Sequence, residues 1–237
     1  MRKFRAKTFY ELKNCVDTSI IGRQYPQCQT VQKGVDAHMS TSFYPFYKFA
    51  RIPDCYPNFI PQLDGMELRR SAKLTDFISS IYLYRPVVNK RAIHVLTFLN
   101  YGSHRIYPLT IVTKWGNKKY YYIYMLNYGK FSVIWDKTKF YSTELALRTK
   151  DIDSIYEKRT SRGLIQFSNH ENFIDNYELS PNIEELGVDS RFSMNLDLIN
   201  ISYLNEYIVS ERFIDVYHKS NLTGLEFGRP IRVIQYK

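Results

Sequence analysis

Histidine, cysteine and neighbouring carboxylates are the residues of this sequence that could bind a metal or act as a nucleophile. The five histidines are far apart and form no His-x-x-x-His or His-Glu-x-x-His motif: His38, His94, His104, His170 and His218. The three cysteines, Cys15, Cys28 and Cys55, include no Cys-x-x-Cys pair. The sequence therefore predicts no metal site, no cofactor and no disulfide framework.

Acid–base or nucleophilic catalysis would need these residues to find partners elsewhere in the fold. His170 precedes Glu171, Cys28 could pair with His38, and two carboxylate pairs occur at Asp151/Asp153 and Glu184/Glu185. The chain has no glycine-rich phosphate loop and no Gly-x-Ser-x-Gly nucleophile elbow. We expect a protein that is not an enzyme. Of the three functions considered for this sequence, we rank an enzyme built around His170 and Glu171 last.

The composition indicates a folded, basic protein. Of its 237 residues, 44% are hydrophobic and 24% charged, which supports a core and excludes a disordered tail. There are 33 Lys and Arg against 23 Asp and Glu, a formal net charge of +10. Such an excess of positive charge favours an acidic partner or nucleic acid.

No segment has the pattern of a signal peptide or a membrane span. Glu11, Lys13 and Asp17 interrupt the chain before an apolar stretch can follow the basic start. The longest apolar stretches, such as Tyr120–Leu126, are too short to cross a bilayer. We therefore expect a cytoplasmic protein with no membrane partner.

Residues 1–65 are expected to form an aromatic, loop-rich N-terminal layer. Five Xaa-Pro dipeptides bias the preceding residues toward extended backbone. Within it, Ser42–Phe49 interleaves aromatic rings with a lysine, as in platforms that stack nucleic-acid bases. Large aromatic residues more often cover a sheet or fill a core, which is the interpretation we favour.

The spacing of apolar residues predicts an amphipathic helix that begins at Met66. One stripe contains Leu68, Ala72, Leu74, Phe77, Ile78 and Ile81. Arg69, Arg70 and Lys73 would lie on its solvent-facing side, where they could bind an acidic partner or could simply be solvated.

The middle of the chain predicts a three-stranded antiparallel meander. Ile106–Thr113 and Lys118–Leu126 flank a Gly116-Asn117 turn, and Phe131–Trp135 would supply the third strand. Side chains alternate along a strand, so Tyr120, Tyr122 and Tyr124 should share one face. We expect one face of this sheet to be core.

After short strands and loops over residues 138–202, the C-terminal segment predicts a strand, a helix and a strand. Ser210 is the expected N-cap, and Phe213, Val216 and Tyr217 the buried stripe. Gly224 would supply a left-handed turn before a returning strand at Leu225–Phe227 and a final strand at Pro230–Tyr236.

The two halves of the sequence share one pattern. Pro86–Leu96 aligns without gaps on Tyr207–Tyr217, and each stretch predicts a strand, a cap and a helix. The predicted fold class is therefore α+β, an antiparallel sheet with a few packed helices and two related strand-helix-strand halves. We expect one compact domain, with residues 66–237 as its α+β part and residues 1–65 as the layer.

Two groups of short motifs resemble a family of immunity proteins from bacterial polymorphic-toxin systems. At the C-terminus, Val209–Val216 followed by Asn221–Phe227 is similar to that family's Val-Ser-Glu helix and its Leu-Thr-Gly strand. In the middle, Tyr122–Asn127 and Ile134–Asp136, with Ser142 further on, resemble its Tyr-Leu-Asn strand and its later aspartate and serine. The residues that carry the resemblance, most of them expected to be structural, include Tyr124, Asn127, Asp136, Ser142, Ser210, Gly224 and Phe227.

The resemblance implies a non-enzymatic α+β protein that binds and blocks a cognate toxin domain in the cytoplasm of the producing cell. The family motifs do not identify a contact surface. Exposure of an aromatic anchor and of positive charge instead favours these residues: Trp115, Lys114, Lys118, Lys119, Arg69, Arg70 and Lys73.

The net charge indicates that the toxin domain presents an acidic surface. A nucleic-acid-binding module is the second alternative, although the basic residues are spread along the chain without a recognised binding motif. The sequence defines neither the activity of the toxin nor the oligomeric state.

Overall fold

The computed structural model describes residues 3–30, 55–58, 66–80, 86–127, 132–142, 164–175, 181–201 and 206–237. These ranges contain thirteen strands and four short α-helices, and most strand pairs are antiparallel, so the predicted α+β class is confirmed. The aromatic segment Ser42–Phe49 and the Asp151/Asp153 pair lie outside the described residues.

The first part of the chain contributes seven strands and two helices. The strands are β1 (Lys3–Asn14), β2 (Cys28–Thr30), β3 (Met66–Leu68), β4 (Phe77–Ile78), β5 (Val87–Val88), β6 (His104–Thr113) and β7 (Gly116–Met125). The helices are α1 (Thr18–Ile21) and α2 (Lys90–Leu96).

The second part contributes six strands, a 3-10 helix at Trp135–Lys137 and two α-helices. The strands are β8 (Lys139–Tyr141), β9 (Leu164–Ile165), β10 (Asn182–Val188), β11 (Leu198–Ile201), β12 (Glu206–Ser210) and β13 (Leu225–Tyr236). The helices are α3 (His170–Asp175) and α4 (Glu211–Lys219).

The strands form two sheets with related strand orders. One has the order β4-β5-β7-β6-β3-β2, and the other has the order β11-β12-β1-β13-β10-β8-β9. The central parallel pair of the first sheet, β3 with β6, corresponds to β10 with β13 in the second. The antiparallel pairs β4–β5 and β2–β3 likewise correspond to β11–β12 and β8–β10. The predicted repeat is therefore confirmed.

The first strand of the chain completes the second repeat. In the first repeat, β7 follows β6 directly and pairs with both β6 and β5. In the second sheet, β1 lies between β12 and β13, in the position that β7 has in the first. The N-terminus of the chain therefore supplies the strand that would otherwise follow the C-terminal strand.

The chain also divides into two compact units. One consists of residues 11–128 and 195–228, and the other of residues 1–10, 129–194 and 229–237. The predicted boundary at residue 65 stays a prediction, because residues 31–54 and 59–65 lie outside the described ranges.

The core of the six-stranded sheet confirms the predicted tyrosine face. Tyr120, Tyr122 and Tyr124 are buried together with residues of the neighbouring strands. The hydroxyl groups of Tyr120 and Tyr124 donate hydrogen bonds to the backbone oxygens of Thr75 (2.7 Å) and Cys55 (2.9 Å). These bonds satisfy phenol groups whose burial would otherwise cost free energy.

The core of the unit that contains residues 129–194 includes a cluster of aromatic rings. Phe140, Phe167 and Phe173 are fully buried, with ring centroids 5.0–5.4 Å apart, and Trp135 lies beside them.

The predicted helix from Met66 to Ile81 is wrong for its described residues. Met66–Leu68 and Phe77–Ile78 are strands. The backbone N–H groups of Lys73 and Phe77 donate to Ile21 (2.7 Å) and Thr223 (2.9 Å), which are distant in the chain. These backbone groups are thus satisfied by other segments. Four residues of the expected stripe, Leu68, Ala72, Phe77 and Ile78, are buried in strands and turns, whereas Leu74 is 36% exposed.

The hairpin of the predicted meander is confirmed, but its third strand is wrong. The edge of β7 away from β6 pairs with β5, Val87 lying opposite Tyr122. Of the predicted strand Phe131–Trp135, the described part contains one isolated bridge, from Val133 to Val188, and the start of the 3-10 helix. The turn is also shifted, since Lys114 and Trp115 form it and Gly116 begins β7.

The prediction for the N-terminal end of the chain is wrong at Lys3–Asn14, whereas most of the prediction for the C-terminal end is confirmed. Lys3–Asn14 is a long strand, although the sequence indicated a loop-rich layer. Glu11 is buried in this strand, whereas Leu12 is only half-buried, so hydrophobic alternation does not identify it. The C-terminal prediction is confirmed except at Val216, which is half-buried while Phe213 and Tyr217 are buried. Ser210 caps α4, Gly224 has a φ of 103°, and the two predicted strands form the single strand β13.

Candidate functional site

The turn between β6 and β7, which we call the hairpin end, consists of Lys114 and Trp115 and exposes the one aromatic side chain among the predicted contact residues. The hydroxyl of Thr113 donates to the carbonyl of Gly116 (2.7 Å) and accepts from the N–H of Trp115 (3.1 Å), which fixes the turn. The Trp115 side chain is 67% exposed, and the Lys114 ammonium lies 4.3 Å from its ring centroid. This cation–π contact holds an amphipathic ring in solvent, as in many interface anchors.

Arg69 and Arg70 lie at the same end of the sheet as this hairpin turn. Strand β3 runs parallel to β6 with Glu67 opposite Val112, so the residues after Leu68 follow the strand toward the turn. Arg70 is exposed and Arg69 is half-buried. The structure therefore brings two of the predicted basic residues to the hairpin end.

Lys73 contacts helix α1 rather than the hairpin end. Its ammonium donates to the backbone oxygen of Ser19 (2.8 Å), in helix α1. Hydrogen bonds from Ser19 lower the pKa of the Asp17 carboxyl, and the charge of Lys73 contributes to the same shift. This lysine therefore has a structural contact in addition to its predicted binding role.

The remaining predicted lysines border an open cleft of about 530 Å³. The cleft lies between the start of α2, the segment before β4 and the first residues of β7. Its lining residues are Leu74, Thr75, Asp76, Asn89, Lys90, Arg91, Lys118, Lys119, Tyr120 and Thr223. Four of them are cationic, and Asp76 is the one acidic residue among them.

Asp76 is 5% exposed and has hydrogen-bond partners at both carboxylate oxygens. Oδ1 accepts from the Asn89 side-chain amide (2.9 Å), and Oδ2 accepts from the Thr223 N–H and hydroxyl (3.0 Å each). Arg91 forms an ion pair with Oδ2 at 3.2 Å and also donates to the backbone oxygens of Ser220 and Asn221. We call Asp76 and these partners the Asp76 clasp.

An equivalent arrangement, the Asp197 clasp, occurs in the second repeat. Asp197 is 2% exposed, its Oδ1 accepts from the Ser210 hydroxyl (2.6 Å), and its Oδ2 accepts from the Asn100 N–H (2.9 Å). Arg212 lies 3.4 Å from Oδ2 and donates to the backbone oxygen of Phe98 (2.7 Å). In both clasps the helix cap lies 13 residues after the aspartate, and the arginine lies 15 residues after the aspartate.

The two clasps connect the repeats reciprocally. Asp76 binds Thr223, in the loop after α4, whereas Asp197 binds Asn100, in the loop after α2. Each carboxylate therefore accepts hydrogen bonds from the capping side chain of its own helix and from a backbone N–H of the loop that leaves the other helix. Since both carboxylates are buried and hydrogen-bonded, their role is to hold the two strand-helix units together.

The first helical residue distinguishes the two repeats. Lys90 begins α2, which has no acidic residue in its first turn, whereas Glu211 occupies the equivalent position of α4. Negative charge is favourable at a helix N-terminus, so a lysine there costs some helix stability. Lys90 and Arg91 were not among the predicted contacts. A basic pair directly after a cap residue was the sequence signal that could have identified them.

The motif residues from the middle of the chain have different environments. Tyr124 and Ser142 are fully buried, and Asn127 is 9% exposed. Asp136 is exposed, in an ion pair with Lys137 at 2.9 Å, and its backbone oxygen accepts from the Gln166 amide. Burial of the first three indicates structural roles, whereas Asp136 is accessible.

The C-terminal motif residues contribute to the helix cap, the following turn and the core. The Ser210 hydroxyl accepts from the N–H of Phe213 (3.2 Å). Gly224 has a positive φ and lies against the backbone of Phe77, where no Cβ would fit. Phe227 packs on Tyr217 with a centroid distance of 5.1 Å, and burial raises the pKa of Tyr217 to about 12.

Within the described residues, the structure does not bring the candidate catalytic residues together into an active site. Glu171 is exposed in the first turn of α3, and Glu185 forms ion pairs with Lys139 and Arg232. Burial raises the pKa of the Cys28 thiol to about 12, so this thiol stays protonated at neutral pH. Its proposed partner His38 lies outside the described residues.

Across the ranges that the structure describes, no three His, Cys, Asp or Glu residues are grouped so that they could hold a metal ion. None of the described helices is both long and apolar enough to span a membrane. The sequence matches no protein-family model, and no curated protein is significantly similar to it.

Proposed function

We propose that this chain is an immunity protein that binds a cognate bacterial toxin domain and neutralises it in the cytoplasm of the producing cell. It does so without chemistry of its own, through direct protein–protein inhibition. The observation that carries the proposal is the β6–β7 hairpin end, where Trp115 is two-thirds exposed beneath Lys114. The motif resemblance supports the same function.

The physical argument is that an inhibitor needs a rigid surface with an aromatic anchor. Strand β6 pairs with β7 along its full length, from His104 opposite Met125 to Thr113 opposite Gly116. The tip therefore projects from a continuous ladder anchored by the buried tyrosine face. A rigid tip loses little conformational entropy on binding, so burial of Trp115 contributes more of its free energy to affinity.

Co-expression with the polypeptide encoded immediately upstream of this chain tests the proposal. We expect the wild type to restore growth and to co-purify with the toxin domain in a defined stoichiometry. Trp115→Ala should weaken the complex by at least about tenfold, as expected for an anchor residue. Failure of the wild type to restore growth or to co-purify would overturn the proposal.

Phe98→Ala is the matched control for the tryptophan variant. Phe98 is 65% exposed, comparable to Trp115, and lies after α2, away from the hairpin turn. We expect this variant to bind like the wild type. Equal losses in both variants would show that any exposed aromatic contributes, which contradicts a specific anchor at the hairpin.

A nucleic-acid-binding module is the second candidate, favoured by the net charge of +10 and by the basic cleft. Phosphate contacts release counterions, so affinity for an oligonucleotide would fall steeply with rising salt. Filter binding at several salt concentrations distinguishes this function from protein inhibition.

A further inference from the structure

We infer that the cleft beside the Asp76 clasp binds a carboxylate side chain of an acidic protein segment, held by Lys90, Lys118 and Lys119. The inference deepens the proposed function and rests on it, since the acidic segment would belong to the toxin domain.

Three lysines that line the cleft have no carboxylate counter-charge among the described residues. Asp76 is already bound to Arg91, Asn89 and Thr223. Lys90, Lys118 and Lys119 are exposed, and no carboxylate of the described residues lies within ion-pair distance of their ammonium groups. Three like charges around one concavity raise the free energy of the unbound protein, and an anionic ligand relieves this repulsion.

The second repeat shows that the architecture does not need this charge. Both clasps contain an aspartate, an arginine and a capping side chain, so these residues are explained by the fold. The position of Lys90 is occupied by Glu211 in the other repeat, where the helix forms without a lysine at its start. A lysine at this position therefore needs a reason outside the fold, and a bound anion supplies one.

The composition of the cleft favours a carboxylate over a phosphate chain. A carboxylate and a phosphodiester each carry one negative charge, so the arrangement of the cations is what distinguishes the two ligands. Lys90, Lys118 and Lys119 line a single concavity, whereas a nucleic-acid backbone presents a continuous row of charges that calls for a row of cations. Leu74 also lines the cleft and is accessible for the methylene groups of an acidic side chain.

The test uses exchanges between the equivalent helix positions in the full-length protein. Lys90→Glu places the residue of the second repeat in the first, and Glu211→Lys makes the opposite change. The probe is a fluorescent ten-residue poly-glutamate peptide, with a poly-glutamine peptide of equal length as the neutral control. Binding is measured by fluorescence anisotropy at low salt, and urea unfolding shows that each variant is folded.

We expect Lys90→Glu to weaken peptide binding by about tenfold or more, and Lys118→Gln/Lys119→Gln to weaken it by a similar factor. Glu211→Lys and Lys139→Glu, which change the net charge at residues that do not line the cleft, should stay within about twofold of the wild type. Equal effects of Lys90→Glu and Lys139→Glu would overturn the inference. Tighter binding of a single-stranded oligonucleotide of equal charge, equally sensitive to Lys90→Glu, would also overturn it.

Co-expression separates this inference from the proposed function. Growth restored by the wild type but not by Lys90→Glu supports both. Growth restored equally by both proteins supports the function and overturns the inference. No growth with either protein, together with peptide binding that Lys90→Glu removes, overturns the function and supports carboxylate binding at the cleft.

Discussion

The Asp76 clasp and the Asp197 clasp are built from equivalent contacts, but the residues beside them differ in charge. Each has a buried aspartate that binds a helix cap, an arginine and the loop after the other helix. Beside the first are Lys90 and two lysines of β7, whereas Glu211 follows the cap of the second. The two copies of one structural unit therefore differ in the sign of the charge that follows the helix cap.

This difference separates what the fold requires from what binding requires. A contact that occurs in both repeats has the same structural cause in both, namely the hydrogen bonds that a buried carboxylate needs. A residue that differs between the repeats is not required by the shared fold. The comparison therefore assigns the aspartates and arginines to the architecture and leaves the cleft lysines for the recognition that we propose.

The largest expected effect comes from removing either aspartate. Asp76→Ala leaves donors of Asn89 and Thr223 without their acceptor, and Asp197→Ala does the same to Ser210 and Asn100. Each substitution should lower the free energy of unfolding by about 3–5 kcal/mol, because it removes at least two hydrogen bonds to a charged group, each worth about 1.5–3 kcal/mol. Urea unfolding measures both values.

Asp136→Ala is the control for the aspartate variants. Its carboxylate is 68% exposed and pairs with the partly exposed Lys137, so the loss should stay below about 1 kcal/mol. A large loss for one clasp and a negligible loss for the other would show that the two are not equivalent, and the comparison would fail.

The next effect concerns two glycines with the same backbone conformation. Gly224 and Gly116 both have a φ of 103°, but a Cβ at Gly224 would collide with the Phe77 backbone, whereas Gly116 has open space around it. Gly116→Ala should cost about 1–2 kcal/mol from backbone strain alone. Gly224→Ala should cost about 1–3 kcal/mol more because of the collision.

Thermal or urea unfolding of both alanine variants provides the measurement. Equal losses would mean that Gly224 is required only for its dihedral angle. In that case the close approach of the second repeat's loop to the first would not constrain the sequence.

The smallest effect is the stability change of the exchanged helix positions. Lys90→Glu should raise the free energy of unfolding by about 0.3–1 kcal/mol, because a negative charge suits the start of a helix. Glu211→Lys should lower it by a similar amount. Differential scanning calorimetry at low salt can resolve this pair, and added salt should reduce both changes. A Lys90→Glu variant that unfolds more easily than the wild type would contradict the view that this lysine serves binding at the expense of the helix.

Features that depend on neighbours in the sequence could be predicted. The cap at Ser210, the buried residues of α4, the left-handed turn at Gly224 and the tyrosine face of β7 follow from short-range patterns. The gapless match of the two strand-helix stretches was enough to predict a repeat. Two related sheets are its three-dimensional counterpart.

Features that depend on distant partners were not predicted. Between Met66 and Ile78, apolar spacing fits a helix as well as two short strands, and the decision lies with β2, β6 and the Thr223 loop. Likewise, β7 could have paired with the segment after it, but β5 occupies that edge. Short strands have weak intrinsic preferences, so their tertiary neighbours determine their conformation.

The candidate site shows the same division. Trp115 and the lysines around it were predicted from residue type, because an exposed aromatic in a hairpin turn is a local property. Lys90 and Arg91 were missed, because they join Lys118 and Lys119 through pairing between strands that are separate in the sequence.

Short-range patterns in the amino-acid sequence are enough to predict the α+β class, the capped C-terminal helix, the hairpin and the duplicated pattern. Each of these depends on hydrogen bonds or periodicity within a short stretch. Three other features are visible only in the folded chain: β1 completes the second repeat, two aspartates connect the repeats, and lysines from two elements line one cleft. These features depend on long-range pairing, whose outcome is set by which buried N–H and C=O groups find partners in the folded chain.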